Sequence, residues 1–123
     1  VIAAGGGGIP VAYKADKTLE PIEAVIDKDS ANSVLAREIG AEEFYILTDV
    51  PNVYINFRQP DEKKLEQVTT IELADYSAKG MFGEGNMAPK IQAAVDFVQA
   101  GGKVSVITDA NSLGTNGGTR ISK

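Results

Sequence analysis

Apolar positions along this chain shift between short continuous runs and a helical spacing, and those shifts lay out its elements. The opening VIAA, residues 1–4, reads as the end of a buried strand that starts abruptly, as though cut. Residues 5–17 read as a loop in which Val11-Ala-Tyr13 can extend briefly, and residues 22–26 alternate weakly enough to fit a strand or a turn. A helix is expected from Asp29. Asp29 or Ser30 can cap it, Ala31, Val34, Leu35 and Ile39 share one face, and Gly40 ends it. EFYILT, residues 43–48, is then near-continuously apolar over one strand length, as in a parallel strand covered on both faces.

Turn chemistry at DVPN, residues 49–52, leads to a second short strand expected at 53–57, and residues 58–66 read as a polar connection. Thr69-Thr-Ile-Glu72 has the spacing of a capping box and opens a helix that Gly80 closes. Residues 81–88 form a glycine-containing loop. Pro89 suits the first turn of a further helix, whose buried stripe is Ile91, Ala94, Val95 and Val98 and whose end is Gly101-Gly102. KVSVIT, residues 103–108, is another buried strand, and the tail from 109 to 123 has no clear period. Strands alternating with helices at these lengths predict an α/β domain, a mostly parallel sheet sandwiched by helices. Ligands of such sheets sit beyond the carboxyl ends of the strands. That rule selects the glycine run after residue 4, residues 49–52, and the segment from Asp109.

Composition narrows the chemistry. At 123 residues, 43% hydrophobic and 24% charged, the chain is one soluble globular domain. No apolar run approaches the ~18 residues that span a bilayer, and no basic n-region marks a signal peptide, so no membrane association is expected. There are no cysteines to staple a secreted domain, which makes the cytoplasm the expected address. Histidine is absent too, removing the commonest general base and transition-metal ligand together. Chemistry here must use carboxylates, lysines, backbone amides or a hard cation held by oxygens. A net charge of −5 argues against a nucleic-acid surface, but one or two placed lysines suffice for a nucleotide.

Three constellations could carry such chemistry. Gly5, Gly6, Gly7 and Gly8 can present successive N–H groups to an anion, or simply form a packing turn. No Gly-Lys-Ser/Thr follows them, so the run is not a P-loop, and Pro10 interrupts any dinucleotide fingerprint. In IDKDS, residues 26–30, two carboxylates bracket Lys28 where a helix begins. Either they cap that helix in solvent, or a carboxylate fixes a lysine near a transferring phosphoryl group. In GEGNMAPK, residues 83–90, Lys90 stands in a first helical turn, where the dipole favours an acid. It is either solvated or facing an anion bound at that helix N-terminus.

Together AAGGGGIPV (3–11), AVIDKDSA (24–31), LAREIGAEEFYILTDVPNVYINF (35–57), GNMAPK (85–90) and GTRI (118–121) resemble, in order, the C-terminal part of the carbamate kinases of the amino acid kinase family. The resemblance implies that fold and a nucleotide-binding domain over residues 1–123, with the N-terminal, carbamate-binding half absent. It implies reversible phosphoryl transfer between ATP and carbamate, giving ADP and carbamoyl phosphate with Mg2+, as in arginine deiminase catabolism, and a homodimer for the full-length protein. By similarity Lys28, Asp29 and Lys90 are catalytic, Asp29 holding the active-site lysines. Gly5 to Gly8 lie beside the transferring phosphate. Thr48, Asp49, Val53 and Tyr54 match the nucleotide pocket, and Met87 and Pro89 shape the loop over the nucleotide. No protein metal ligand is assigned. Pro51 and Asn86 depart from the family pattern, and the stretch from 108 to 118 is short and lacks its expected helix. The alternatives are a nucleotide-binding or regulatory module without catalysis, and a sister acylphosphate-forming kinase. Lys90→Ala is expected to weaken nucleotide binding without unfolding the domain.

Overall fold

Strand and helix patterns that alternate along a chain share one core only by layering helices on a sheet. A computed structural model describes residues 1–3, 5–83 and 85–123 and shows that layering. In chain order the elements are β1 (Val11–Tyr13), β2 (Leu19–Pro21), α1 (Lys28–Glu38), β3 (Glu43–Thr48), β4 (Val53–Ile55), β5 (Lys63–Leu65), β6 (Gln67–Thr69), α2 (Thr70–Ala78), α3 (Met87–Gln99), β7 (Val104–Asp109) and β8 (Thr119–Ser122). The central sheet runs β3-β7-β8-β6. β3 is parallel to β7 and β6 to β8, whereas β7 and β8 are antiparallel, so the sheet is mixed and mostly parallel. β1–β2 and β4–β5 are separate antiparallel hairpins.

α3 lies at the centre of the packing. Its expected stripe of Ile91, Ala94, Val95 and Val98 is buried, and Ala93 and Phe97 join it. Phe97 meets Phe44 of β3 with ring centroids 5.4 Å apart, in the tilted arrangement aromatic pairs prefer. Pro89 falls in the first turn as expected, and Gly101, at φ 114°, ends the helix. α2 starts on the expected capping box. The Thr69 hydroxyl accepts from the Glu72 amide at 3.2 Å, and the Glu72 carboxylate accepts from the Thr69 amide at 2.8 Å.

Several expectations are corrected. Residues 1–3 form no strand and lie exposed, and Ala4, the strand's expected last residue, lies outside the described residues, as does Glu84 of the 81–88 loop. A strand needs a neighbour to bond its backbone, and none is paired with these residues. α1 begins at Lys28 and is capped by Asp27, not by Asp29 or Ser30. Its buried face is Asp29, Ser33 and Ala36, while Val34, Leu35 and Ile39 are exposed. The small face suits close approach to α3, and it leaves the apolar stripe turned toward the sheet edge beyond β3. β3 is likewise covered on one face only, with Phe44 and Ile46 buried and Tyr45 and Leu47 exposed. β4 stops at Ile55, short of 57, because Asn56 and Arg58 take left-handed φ values of 53° and 63°. Residues 22–26 form neither helix nor strand. β2, β5, β6 and β8, of three or four residues each, are too short to show a period.

Gly102 tests this packing. A Cβ there would stand 2.2 Å from the Phe97 ring, whose position the core fixes. Gly102→Ala is therefore expected to destabilise the domain by about 1–3 kcal/mol through overpacking, read from the urea midpoint at unchanged slope.

Candidate active site

Two helix N-termini converge in this fold, and one ion pair joins them. Asp29 is the second residue of α1 and Lys90 the fourth of α3. Lys90 Nζ donates to Asp29 Oδ2 at 2.7 Å, with the two side chains only 6% and 9% exposed. The placement explains an oddity of the sequence, a lysine in a first helical turn. Its own helix dipole disfavours it, but the facing carboxylate, well placed at the start of α1, offsets that cost. Asn86 caps α3 without a side-chain hydrogen bond, and the first turn of the helix carries no acid. An anion is the group such a turn accommodates.

The α1 end is tightly organised. Asp27 Oδ1 accepts from the Ser30 amide at 2.8 Å, and that bond holds the Asp27 carboxyl below its ordinary value of 3.8. Lys28, the first residue of the helix, is exposed. The glycine run passes directly alongside. A Cβ on Gly7 would lie 1.8 Å from the Ile26 carbonyl oxygen, so only glycine lets the two backbones approach this closely. Gly8 adopts φ 84°, while Gly5 and Gly6 face open space. Gly5, Lys28 and Asp29 all line a cleft of about 740 Å3. Leu35, Ile39, Tyr45 and Leu47 add apolar wall to the same cleft.

The remaining candidates form a second group, outside that cleft. Thr48 ends β3 opposite Asp109 of β7, and its hydroxyl donates to Asp49 Oδ1 at 3.1 Å. Val53 is fully enclosed in the core, so its side chain anchors the segment. Tyr54 is half-buried beside Phe57, at 5.5 Å between ring centroids, and the Arg58 guanidinium lies 5.2 Å from the Phe57 centroid. The Asn56 amide donates to the Met81 carbonyl at 2.8 Å, tying this segment to the loop before α3. Met87 packs half-buried against the core, and Pro89 is exposed. Asp109 accepts from the Ser112 amide at 2.8 Å; side-chain and backbone bonding to Ser112 lowers its carboxyl. Two buried polar residues, Asn52 and Thr119, were not anticipated from the sequence, because neither breaks a periodic pattern.

Known proteins match this chain in sequence and fold. The model of the amino acid kinase family matches residues 1–109. The chain belongs to the amino acid kinase family. Among curated members it is 53% identical to a carbamate kinase of Halobacterium salinarum over 108 residues, covering 88% of this chain and 35% of that protein. To the carbamate kinase of Thermoplasma acidophilum it is 48% identical over 124 residues, covering 98% and 40%. The solved structure of carbamate kinase from Giardia lamblia bound to AMP-PNP superposes with a TM-score of 0.86 at 43% identity, covering 95% of this chain and 42% of that one. This amino acid kinase chain thus spans about 35–40% of the length of these two curated relatives. Among the described residues no helix is long and apolar enough to cross a membrane.

Burial of the ion pair changes what Lys90 variants should do. Lys90→Met leaves the Asp29 carboxylate buried without its partner, which is expected to cost about 3–5 kcal/mol in chemical denaturation. The double variant Asp29→Leu/Lys90→Met removes both charges and is expected to recover at least half of that loss. At the α1 cap the pH dependence has a definite sign. A depressed carboxyl contributes stability above its unfolded pKa and loses it as pH falls through the folded value. An NMR titration of Asp27 should therefore show a midpoint below 3.8, and Asp27→Ala should remove that part of the acid sensitivity.

Proposed function

We propose that this chain is the nucleotide-binding, C-terminal part of a carbamate kinase, catalysing reversible transfer of a phosphoryl group between ATP and carbamate together with the rest of that protein. The observation that carries the reading is the buried Asp29–Lys90 pair at the meeting point of two helix N-termini. Phosphoryl transfer asks little covalent chemistry of the protein; it asks for fixed positive charge around a flying phosphoryl group. Asp29 occupies one donor direction of the Lys90 ammonium and so aims the other two. The turn amides of α3 and the exposed Lys28 add positive potential on the same side, and bare backbone at Gly5 and Gly6 permits close approach of phosphate oxygens. The segment from Thr48 to Tyr54, with Met87 and Pro89, takes the nucleotide.

The nucleotide fits this donor set. No group of three or more carboxylates that could hold a metal lies among the described residues. Mg2+ in this reading is bound by nucleotide phosphates and water, as its preference for a largely hydrated octahedron favours. Turnover needs more than this chain. The apolar stripe of α1 and the outer face of β3 are uncovered, at 40% exposure for Leu35 and 47% for Leu47, and they run directly into the cleft holding Lys28 and Asp29. The carbamate-binding half of the full-length protein is the natural cover for that face, and full-length protein is taken to act as a homodimer.

Calorimetric titration with ADP and Mg2+ tests the site. Binding in the micromolar to millimolar range is expected, and none at millimolar nucleotide would overturn the assignment. Formation of ATP from carbamoyl phosphate and ADP tests the division of labour. We expect no turnover by the 123-residue chain alone and turnover by the full-length protein. A clear rate from the chain alone would refute the need for the other half.

A further inference from the structure

We propose that the Thr119 hydroxyl is a positioning group for the nucleotide segment, holding its far end against the central sheet. This inference rests on the nucleotide reading above. β4 and β5 form a hairpin that belongs to no larger sheet, so its ladder does not fix it to β7 or β8. β5 leads through Glu66 into β6 of the central sheet, where the Arg120 amide donates to the Glu66 carbonyl at 2.9 Å, and the Val53 side chain is enclosed in the core. One fully buried side chain of β8 adds a direct polar tie to the open end of the hairpin. Thr119 Oγ1 accepts from the Val53 amide at 2.8 Å and donates to the Leu65 carbonyl, bridging the open end of the hairpin. Asn52, also buried, donates from Nδ2 to the same Leu65 carbonyl at 3.1 Å.

The location gives this hydroxyl its consequence. Thr119 is paired with Ile107 of β7, and β7 also carries Asp109, the partner of Thr48. The loop at residues 49–52 is thereby referred to β7 at its first end by the sheet ladder, while at its second end the hydroxyl adds a direct bond to the hold of the β4–β5 ladder and the buried Val53 side chain. Losing the hydroxyl loosens the second end only. Neither the Asp29–Lys90 pair nor the core around Phe97 touches this bridge in the bonds that hold it.

Thr119→Val keeps the shape and removes these two bonds together with the one that Asn52 Nδ2 donates to the hydroxyl at 3.5 Å; Thr119→Ser keeps the hydroxyl. In the full chain, Thr119→Val is expected to speed amide exchange of Val53 and residues 49–54 while α3 amides keep their relative protection. It should also weaken ADP–Mg binding about tenfold, the equivalent of one buried hydrogen bond, with Thr119→Ser restoring both. Unchanged ADP affinity and unchanged exchange at Val53 in folded Thr119→Val would overturn the proposal, as would uniform loosening of α3 with residues 49–54. If Thr119→Val does not fold, Thr119→Cys, a weaker hydrogen-bonding group of similar size, takes its place. In the wild type the Val53 amide should exchange slowly in any case, and exchange at the rate of an open amide would also overturn the proposal. Absence of ADP binding by the wild type would instead strike the nucleotide reading, with the exchange data still deciding whether Thr119 holds the segment.

Discussion

A lysine and an aspartate sealed from water at 2.7 Å constrain the rest of this molecule. Removing two charges from solvent is costly, and their mutual attraction repays the cost only in good geometry. α1 and α3 must therefore meet at their first turns, and small residues make that meeting possible. Ser33 and Ala36 on α1 continue the face that Asp29 begins, while Ala93 and Ala94 on α3 are fully enclosed. A larger side chain at these places would part the helices and open the pair. The same geometry stacks two positive helix ends on one side, so the packing requirement and the anion-binding property have a common origin.

Where the sequence could be read, it was read through features that act locally. The stripe of α3, the capping box at Thr69 and the run at 103–108 are set by neighbours three or four residues away or by continuous burial, and they appear in place. The α/β class followed from their order. β1 and β4 showed as short extended pieces, but β2, β5, β6 and β8 did not, because three residues such as Lys63–Leu65 become a strand only through a partner elsewhere in the chain. The orientation of α1 was lost for a different reason. Its apolar residues marked the face that stays open, and the face that packs is marked by an aspartate, a serine and an alanine.

The candidate site divides in the same manner. Lys90 and the glycine run stood out because each breaks a local rule, a cation in a first helical turn or four glycines in a row, and Lys28 and Asp29 because two carboxylates bracket a lysine where a helix begins. The need for glycine at Gly7 comes from the Ile26 carbonyl, a contact across nineteen positions that no spacing announces. Thr119 broke no local rule; it stood within the GTRI motif of the resemblance without a role assigned to it. Its importance lies in which backbone groups reach it, a property of the folded chain alone.

β3 has a consequence beyond the site. Among the described residues it ends the central sheet, with one row of its backbone donors and acceptors free of a ladder partner, and its exposed side chains include Glu43, Tyr45 and Leu47. Soluble proteins blunt such an edge with lysine, proline or a bulge, and here a single glutamate at the start of the strand is what stands guard. Left open in concentrated solution, this border is a template for strands of other molecules, and the six-residue run EFYILT has the composition that stacks. Whatever covers the border in the cell therefore acts as a safeguard against self-assembly as well as a wall of the cleft.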